Sequence, residues 1–259
     1  MEALQDISIY TLVCIMAGGF FAGFVDSIAG GGGLISLPVL LATGMPPHLA
    51  VGTNKFAATF GAVMSAWQFL RAGKVDRHLI KHLIPFTFIG AVIGCIFMLH
   101  LSADWLQPII ILALIIAAVV VFTQRRLGST TTYPGETKKT LCQSIAVAFC
   151  IGIYDGFIGP GTGTFLIIAF AMIGFDFIIA AGNAKILNLV SNVTAFILLV
   201  YSEKILYAYG IAMAVCIFLG AYFGSRMAIH RGTGFIRRIM LVVTIVLIGK
   251  LALTYAGIL

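Results

Sequence analysis

Four charged residues stand inside otherwise apolar sequence. Asp26 lies in AGFVDSIAGGGG (Ala22–Gly33), Lys55 in GTNK (Gly52–Lys55), Asp155 in IGIYDGFIGPGT (Ile151–Thr162) and Lys185 in GNAK (Gly182–Lys185). A lysine within hydrocarbon costs about 2.5–3.5 kcal/mol even on the insertion scale, so each ammonium needs a partner or a cavity. A bound small anion is one such partner. A fixed ion pair with Asp26 or Asp155, or snorkelling to the nearby interface, is the bland alternative, and both readings stay open. Replacing Lys55 by Met together with Asp26 by Asn is the double change that this reading suggests for separating them. Two lysines and two aspartates sum to zero, so a bound anion is uncompensated unless Asp26 or Asp155 takes up a proton, which points to proton coupling.

Each aspartate is followed by a glycine-rich run, Gly30, Gly31, Gly32 and Gly33 in one case and Gly159 to Gly163 in the other. Glycine lets other groups approach the backbone closely, and successive free N–H groups form an anion-binding concavity. A half-helix starting near Leu34 would aim its positive end at it. Gly161, Thr162 and Gly163 could make the counterpart, with Thr162 and Thr164 adding hydroxyl donors. Asn54 precedes Lys55, and Thr53 and Thr59 lie nearby. Asn188, Ser191 and Asn192 follow Lys185 at spacings of three, six and seven, which places them on its helical face. Close helix packing and interhelical bridging are the competing roles for these glycines and amides.

These residues sit on a chain that is 61% hydrophobic and 10% charged, with a mean hydropathy of +1.09. So little polar surface excludes a soluble enzyme and disorder. A net charge of +7 does not indicate nucleic acid, because the basic residues lie in short runs between apolar blocks. Blocks long enough to span a bilayer appear at about Ile7–Ile28, Ala50–Leu70, Leu79–Leu99, Trp105–Phe122, Leu141–Ile158, Ala180–Tyr201, Leu206–Ala228 and Ile239–Ala256. Leu34–Thr43 and Phe165–Ile173 are too short to cross, and each follows a glycine break. The first ten residues carry Glu2 and Asp6 but no Lys or Arg, so the first block reads as retained rather than as a cleaved signal.

The chain is internally duplicated. Ala22–Gly33 aligns with Ile151–Thr162 at an offset of 129, and from there Gly52–Lys55 falls on Gly182–Lys185, Gly90–Gly94 on Gly220–Gly224 and His100 on His230 at 130. The loop with Arg71, Lys74, Arg77 and Lys81, the linker with Arg125, Arg126, Lys138 and Lys139, and the region of Arg226, Arg231, Arg237 and Arg238 are read as cytoplasmic. Equivalent loops then lie on opposite faces, so the repeats are inverted and both termini are outside. Inversion requires that each glycine-broken pair return to its starting side, followed by three full spans. The expectation is an all-α polytopic membrane protein of about eight transmembrane helices: residues 1–124 the first repeat, 125–140 a cytoplasmic linker, 141–259 the second repeat.

Other chemistries find little support. His48, His78, His82, His100 and His230 lie in loops or at block ends without HExxH or a paired carboxylate, so no metal is expected. Gly30–Gly33 lacks the GKS or GKT of a nucleotide loop, which disfavours an ATP-driven pump. Cys14, Cys95, Cys142, Cys150 and Cys216 show no CxxC spacing and read as small buried hydrophobes. No Ser/His or Cys/His constellation suggests an intramembrane enzyme, and no cofactor is implied.

AGFVDSIAGGGG, GTNK, GIYDGFIGPGTGTF (Gly152–Phe165) and GNAKILNLVSN (Gly182–Asn192) resemble the sulfite exporter TauE/SafE family of bacterial membrane transporters over nearly the whole chain. The resemblance implies inner-membrane transport of a small anion, with sulfite, sulfoacetate and other organosulfur compounds as the substrate class. The partners expected are thus that anion and the lipid bilayer. A channel-like or structural membrane protein whose buried charges are packing pairs is the alternative.

Overall fold

In the computed structural model, residues 9–123, 132–232, 234–236 and 239 are described. The Ile239–Ala256 block, both termini and the linker residues Arg125 and Arg126 fall wholly or mostly outside the described residues. Among the described residues the helices are α1 (Ile9–Ala29), α2 (Gly33–Leu41), α3 (Pro47–Arg71), α4 (Arg77–His100), α5 (Ala103–Thr123), α6 (Lys138–Phe157), α7 (Thr162–Ile173), α8 (Phe177–Tyr201) and α9 (Tyr207–Arg231), of which α2 and α7 are short. Short polar residues start several of them by accepting orphan N–H groups. Asp76 takes Leu79 N–H at 3.1 Å, Asp176 takes those of Ile178 and Ile179 at 2.8 and 3.1 Å, and Thr137 with Thr140 forms a reciprocal box before α6.

Five described helices are long and apolar enough to cross a membrane: α1, α4, α6, α8 and α9. The 25-residue α3 is as long as α8, but Thr53, Asn54, Lys55 and Gln68 lower its hydropathy. The first three of these are buried against the rest of the protein, while Phe88, Phe97, Phe223 and Ile211 face outward as lipid contacts would.

Close glycine contacts give the relative directions of the helices. Gly19 meets Met213, Gly23 meets Ile217 and Gly224 meets Ser27, so α1 runs parallel to α9. Gly90 meets Phe149 and Gly94 meets Ile153, so α4 runs parallel to α6. Gly210 lies against Phe56 and Gly61 against Ile217, so α3 also runs with α9. Since α1 and α3 point the same way, α2 must return between them, as expected of a hairpin-like broken element. Its nine residues climb only about 13 Å, less than half of a ~30 Å hydrocarbon core.

The two halves are related by inversion. The start of α3 abuts the α8–α9 turn, where Leu206 N–H donates to Thr53 Oγ1 at 2.9 Å. The start of α8 abuts the α3–α4 turn, where Asp76 N–H donates to Asn183 Oδ1 at 2.9 Å. These bonds are each other's counterparts under the 130-residue offset, and they place α3 and α8 antiparallel. At one end of the bundle lie the α3–α4 turn, residues 132–137, the α7–α8 turn and the end of α9. That end holds Arg71, Lys74, Arg77, Lys81, Lys138, Lys139, Arg226 and Arg231, whereas Lys204 is the one described Lys or Arg at the other.

The matched segments Gly90–Gly94 (GAVIG) and Gly220–Gly224 (GAYFG) pack helices. A Cβ on Gly94 would sit 2.0 Å from the Ile153 carbonyl oxygen, and one on Gly220 would sit 2.1 Å from that of Phe20. Gly94→Val should therefore force the α4–α6 seam apart at a cost near the upper end of the overpacking range, about 3 kcal/mol. Ile93→Val, on the exposed neighbour, should be nearly silent. Thermal unfolding of the detergent-purified variants compares the two.

Candidate functional site

The two glycine breaks cross each other in backbone contact. Gly30 and Gly159, equivalent in the duplication, turn the chain with φ of +80° and +85°, a region that favours glycine. Thr164 N–H reaches Gly30 O at 3.3 Å, Thr164 Oγ1 donates to Ala29 O at 2.7 Å, and a Cβ on Gly30 would lie 2.1 Å from Gly163 C. Tyr154 steadies the second break by donating to Pro160 O at 2.6 Å.

That crossing carries each aspartate to the other half's lysine. Lys55 Nζ lies 2.5 Å from Asp155 Oδ1, and both side chains are 2% exposed. Lys185 Nζ lies 3.1 Å from Asp26 Oδ2 and also donates to the Asp26 carbonyl. Pairing Lys55 with Asp26 in one double substitution is thus corrected: the partner of Lys55 is Asp155, because the breaks exchange places across the twofold. Ser191 donates to the second oxygen of Asp155. Asp26 instead accepts Gly32 N–H at 3.1 Å and stays 23% exposed, so its carboxylate occupies the positive end of α2.

Beside the crossing lies a cavity of about 40 Å³, enough for about three or four waters at ~10–15 Å³ each. Among its walls are Asp26, Gly32, Gly33, Asn54, Lys55 and Asp155, with Asn188 and Asn192 from α8. Asn54 is 5% exposed, and its Oδ1, an acceptor, has no hydrogen-bond partner among the described residues. Asn192 donates to Asn188 Oδ1 at 2.7 Å, leaving the Asn188 amide N–H groups without a protein acceptor among the described residues. The Lys55 ammonium, the Asn188 amide N–H groups and backbone from a helix start thus border a polar space able to hold a small anion.

Several expected residues lie elsewhere. Gly30 and Gly163 are consumed by the crossing, Gly31 does not line the cavity, and Gly161 faces Ala117. Thr162 gives its hydroxyl to Gly159 O and Thr164 gives its to Ala29 O, so neither is a free donor. Lys185 is fully buried behind Asp26 and does not line the cavity, and the amides that follow it in sequence line the cavity beside Lys55 instead. Spacing did not reveal Ser36, which lines the cavity from α2, or the clasp by Tyr154. The latter had only the tyrosine beside Asp155 as its signal.

His78 and His82, one turn apart on α4, both turn Nδ1 toward Glu136, at 2.7 and 3.6 Å. The carboxylate that the sequence pattern lacked comes from far along the chain. All three groups are solvent-reached; His78 hydrogen-bonds Glu136, and His82 lies within ion-pair distance of it.

The profile of the family described as sulfite exporter TauE/SafE matches residues 15–251. The chain belongs to this family. It is 35% identical over 235 residues to the "Probable membrane transporter protein YfcA" of Escherichia coli K12, covering 89% of this chain and 85% of that one. A "Probable membrane transporter protein" of Haemophilus influenzae is 35% identical over 255 residues, with 95% and 96% covered. One of the same description from a Sinorhizobium species is 34% identical over 248 residues, with 94% and 93% covered. No solved structure matches. As a TauE/SafE member this is a multi-pass membrane transporter.

The two ion pairs should respond unequally to loss of their lysines. Lys55→Met strands a sealed carboxylate and should cost about 3–5 kcal/mol. Lys185→Met leaves Asp26 with water and the Gly32 N–H, so its cost should be about half of that or less. Unfolding midpoints of the two purified variants give the order.

Proposed function

We propose that this TauE/SafE transporter is a secondary carrier of a small anion, sulfite, an organosulfonate or a related sulfur compound, in a bacterial inner membrane. The observation that carries the reading is the polar cavity at the crossing of the two breaks, where Lys55, Asn54 and Asn188 meet with the backbone of Gly32 and Gly33. An arriving sulfonate would share the Lys55 ammonium with Asp155 and take hydrogen bonds from the amides. The surrounding pairs are neutral in sum, so the anion adds a net negative charge to a low-dielectric site. Uptake of a proton at the partly exposed Asp26 would cancel it, which is the basis for proton coupling, while Asp155 keeps Lys55 in place.

Orientation follows from the end that gathers the basic residues, which is taken as cytoplasmic together with the 125–140 linker between the 1–124 and 141–259 repeats. Reporter fusions ending at Gly135 and at Glu203 should report inside and outside respectively. The opposite result would reverse the assignment.

The lysines already have carboxylate partners, which favours a second reading in which the charges only hold the helices together. Reconstituted vesicles loaded with labelled sulfite, sulfoacetate or thiosulfate separate the two. The Lys55→Met, Asp155→Asn double variant should recover folded yield relative to Lys55→Met and yet transport at background rate. Normal transport by it would make the pair structural. Asn54→Leu should raise KM about tenfold, as expected for one lost hydrogen bond to a charged group, and an imposed pH gradient should drive uptake that Asp26→Asn abolishes.

A further inference from the structure

Between the last turns of α3 and α9, at the basic end of the bundle, lies a groove of about 430 Å³ remote from the crossing. Trp67, Gln68 and Arg71 line it from α3, and Tyr222, Arg226 and His230 from α9. Gln68 Nε2 donates to Tyr222 O at 3.0 Å and ties the floor together. The Arg71 guanidinium lies 5.3 Å from the centre of the Trp67 ring, and Arg226 donates to the Tyr222 hydroxyl at 3.2 Å. Among the described residues neither arginine has a carboxylate partner. Each helix end contributes roughly half a negative charge, which the two guanidiniums exceed, so the groove remains positive.

The duplication supplies an internal control. At the matching positions of the other half, Trp67 is replaced by Ile197, Gln68 by Leu198, Arg71 by Tyr201, Tyr222 by Val92 and Arg226 by Ile96. The same pair of helices thus packs without a basic groove at the opposite face, and packing alone does not call for these residues. Their place at the ends of apolar helices, with a half-exposed tryptophan beside them, is the level of lipid headgroups. Two guanidiniums without a carboxylate partner among the described residues offer the forked donors that suit phosphate oxygens.

We infer that the groove between the ends of α3 and α9 binds the phosphodiester headgroup of an anionic phospholipid. The guanidiniums of Arg71 and Arg226 hold the phosphate, and Trp67 and Tyr222 flank the glycerol and first acyl carbons. The site is separate from the transport cavity and does not depend on what that cavity carries.

Native mass spectrometry of the full chain from mixed micelles of phosphatidylglycerol and phosphatidylcholine tests this. Wild type should retain phosphatidylglycerol preferentially, and Arg71→Gln with Arg226→Gln should reduce that preference about thirtyfold, the worth of two cations at a membrane surface. Both side chains are exposed, so the variant should fold. Arg77→Gln with Lys81→Gln, at the same end but outside the groove, should leave the preference unchanged. An equal fall there would show diffuse surface charge and overturn the site, as would retention of the preference by the groove variant. Displacement of the lipid by millimolar inorganic phosphate would reassign the groove to a free anion.

Discussion

An ammonium group in hydrocarbon has to be answered by a counter-charge, and in this chain each answer comes from the opposite half. Lys55 is held by Asp155 and Lys185 by Asp26. The carboxylates can reach only because the two breaks cross, and the breaks can cross only because Gly30 and Gly163 bring backbone against backbone. Substituting one of these glycines would therefore act on both ion pairs at once. The outer limbs of the hairpins obey the same exchange, α1 lying along α9 and α6 along α4 through glycine seams that admit no side chain. The long limb of each broken element thus packs on the opposite half while the short limbs α2 and α7 pack on the helices of their own half, which is why the duplication reads as one interlocked unit.

Symmetry of the backbone does not extend to the site. Gly61 in α3 packs on Ile217, whereas its counterpart Ser191 in α8 has a hydroxyl and gives it to Asp155. Ala58 and Ala62 stand where α8 has Asn188 and Asn192, and Asn54 stands where α8 has Ala184. The polar groups of both helices accordingly collect around Lys55, and the cavity forms there rather than beside Lys185. The dry pair and the half-wet pair are two environments of one motif.

Helix existence, the two short half-helices and the inverted duplication were legible in the sequence because each leaves a one-dimensional trace. Length sets what can cross a bilayer, glycine marks where backbone must turn or approach, and the lysine and arginine distribution records the side on which loops lie. The four buried charges were equally plain, since an isolated Lys or Asp in apolar sequence stands out against its neighbours. The resemblance to the TauE/SafE family was carried by the same local segments, and the match over residues 15–251 shows membership.

Tertiary structure alone decided which lysine meets which aspartate, which glycines are spent on the crossing and which side of the site the amides serve. Spacing along a helix identifies a shared face but not what stands opposite it. Asn188 and Asn192 share the face of Lys185 in sequence, yet they border Lys55, because α3 and α8 run antiparallel and the broken elements change halves between them. A twofold axis lying across the helices exchanges partners without altering a single local spacing, so pairing across it is a property of the folded chain and not of any segment within it.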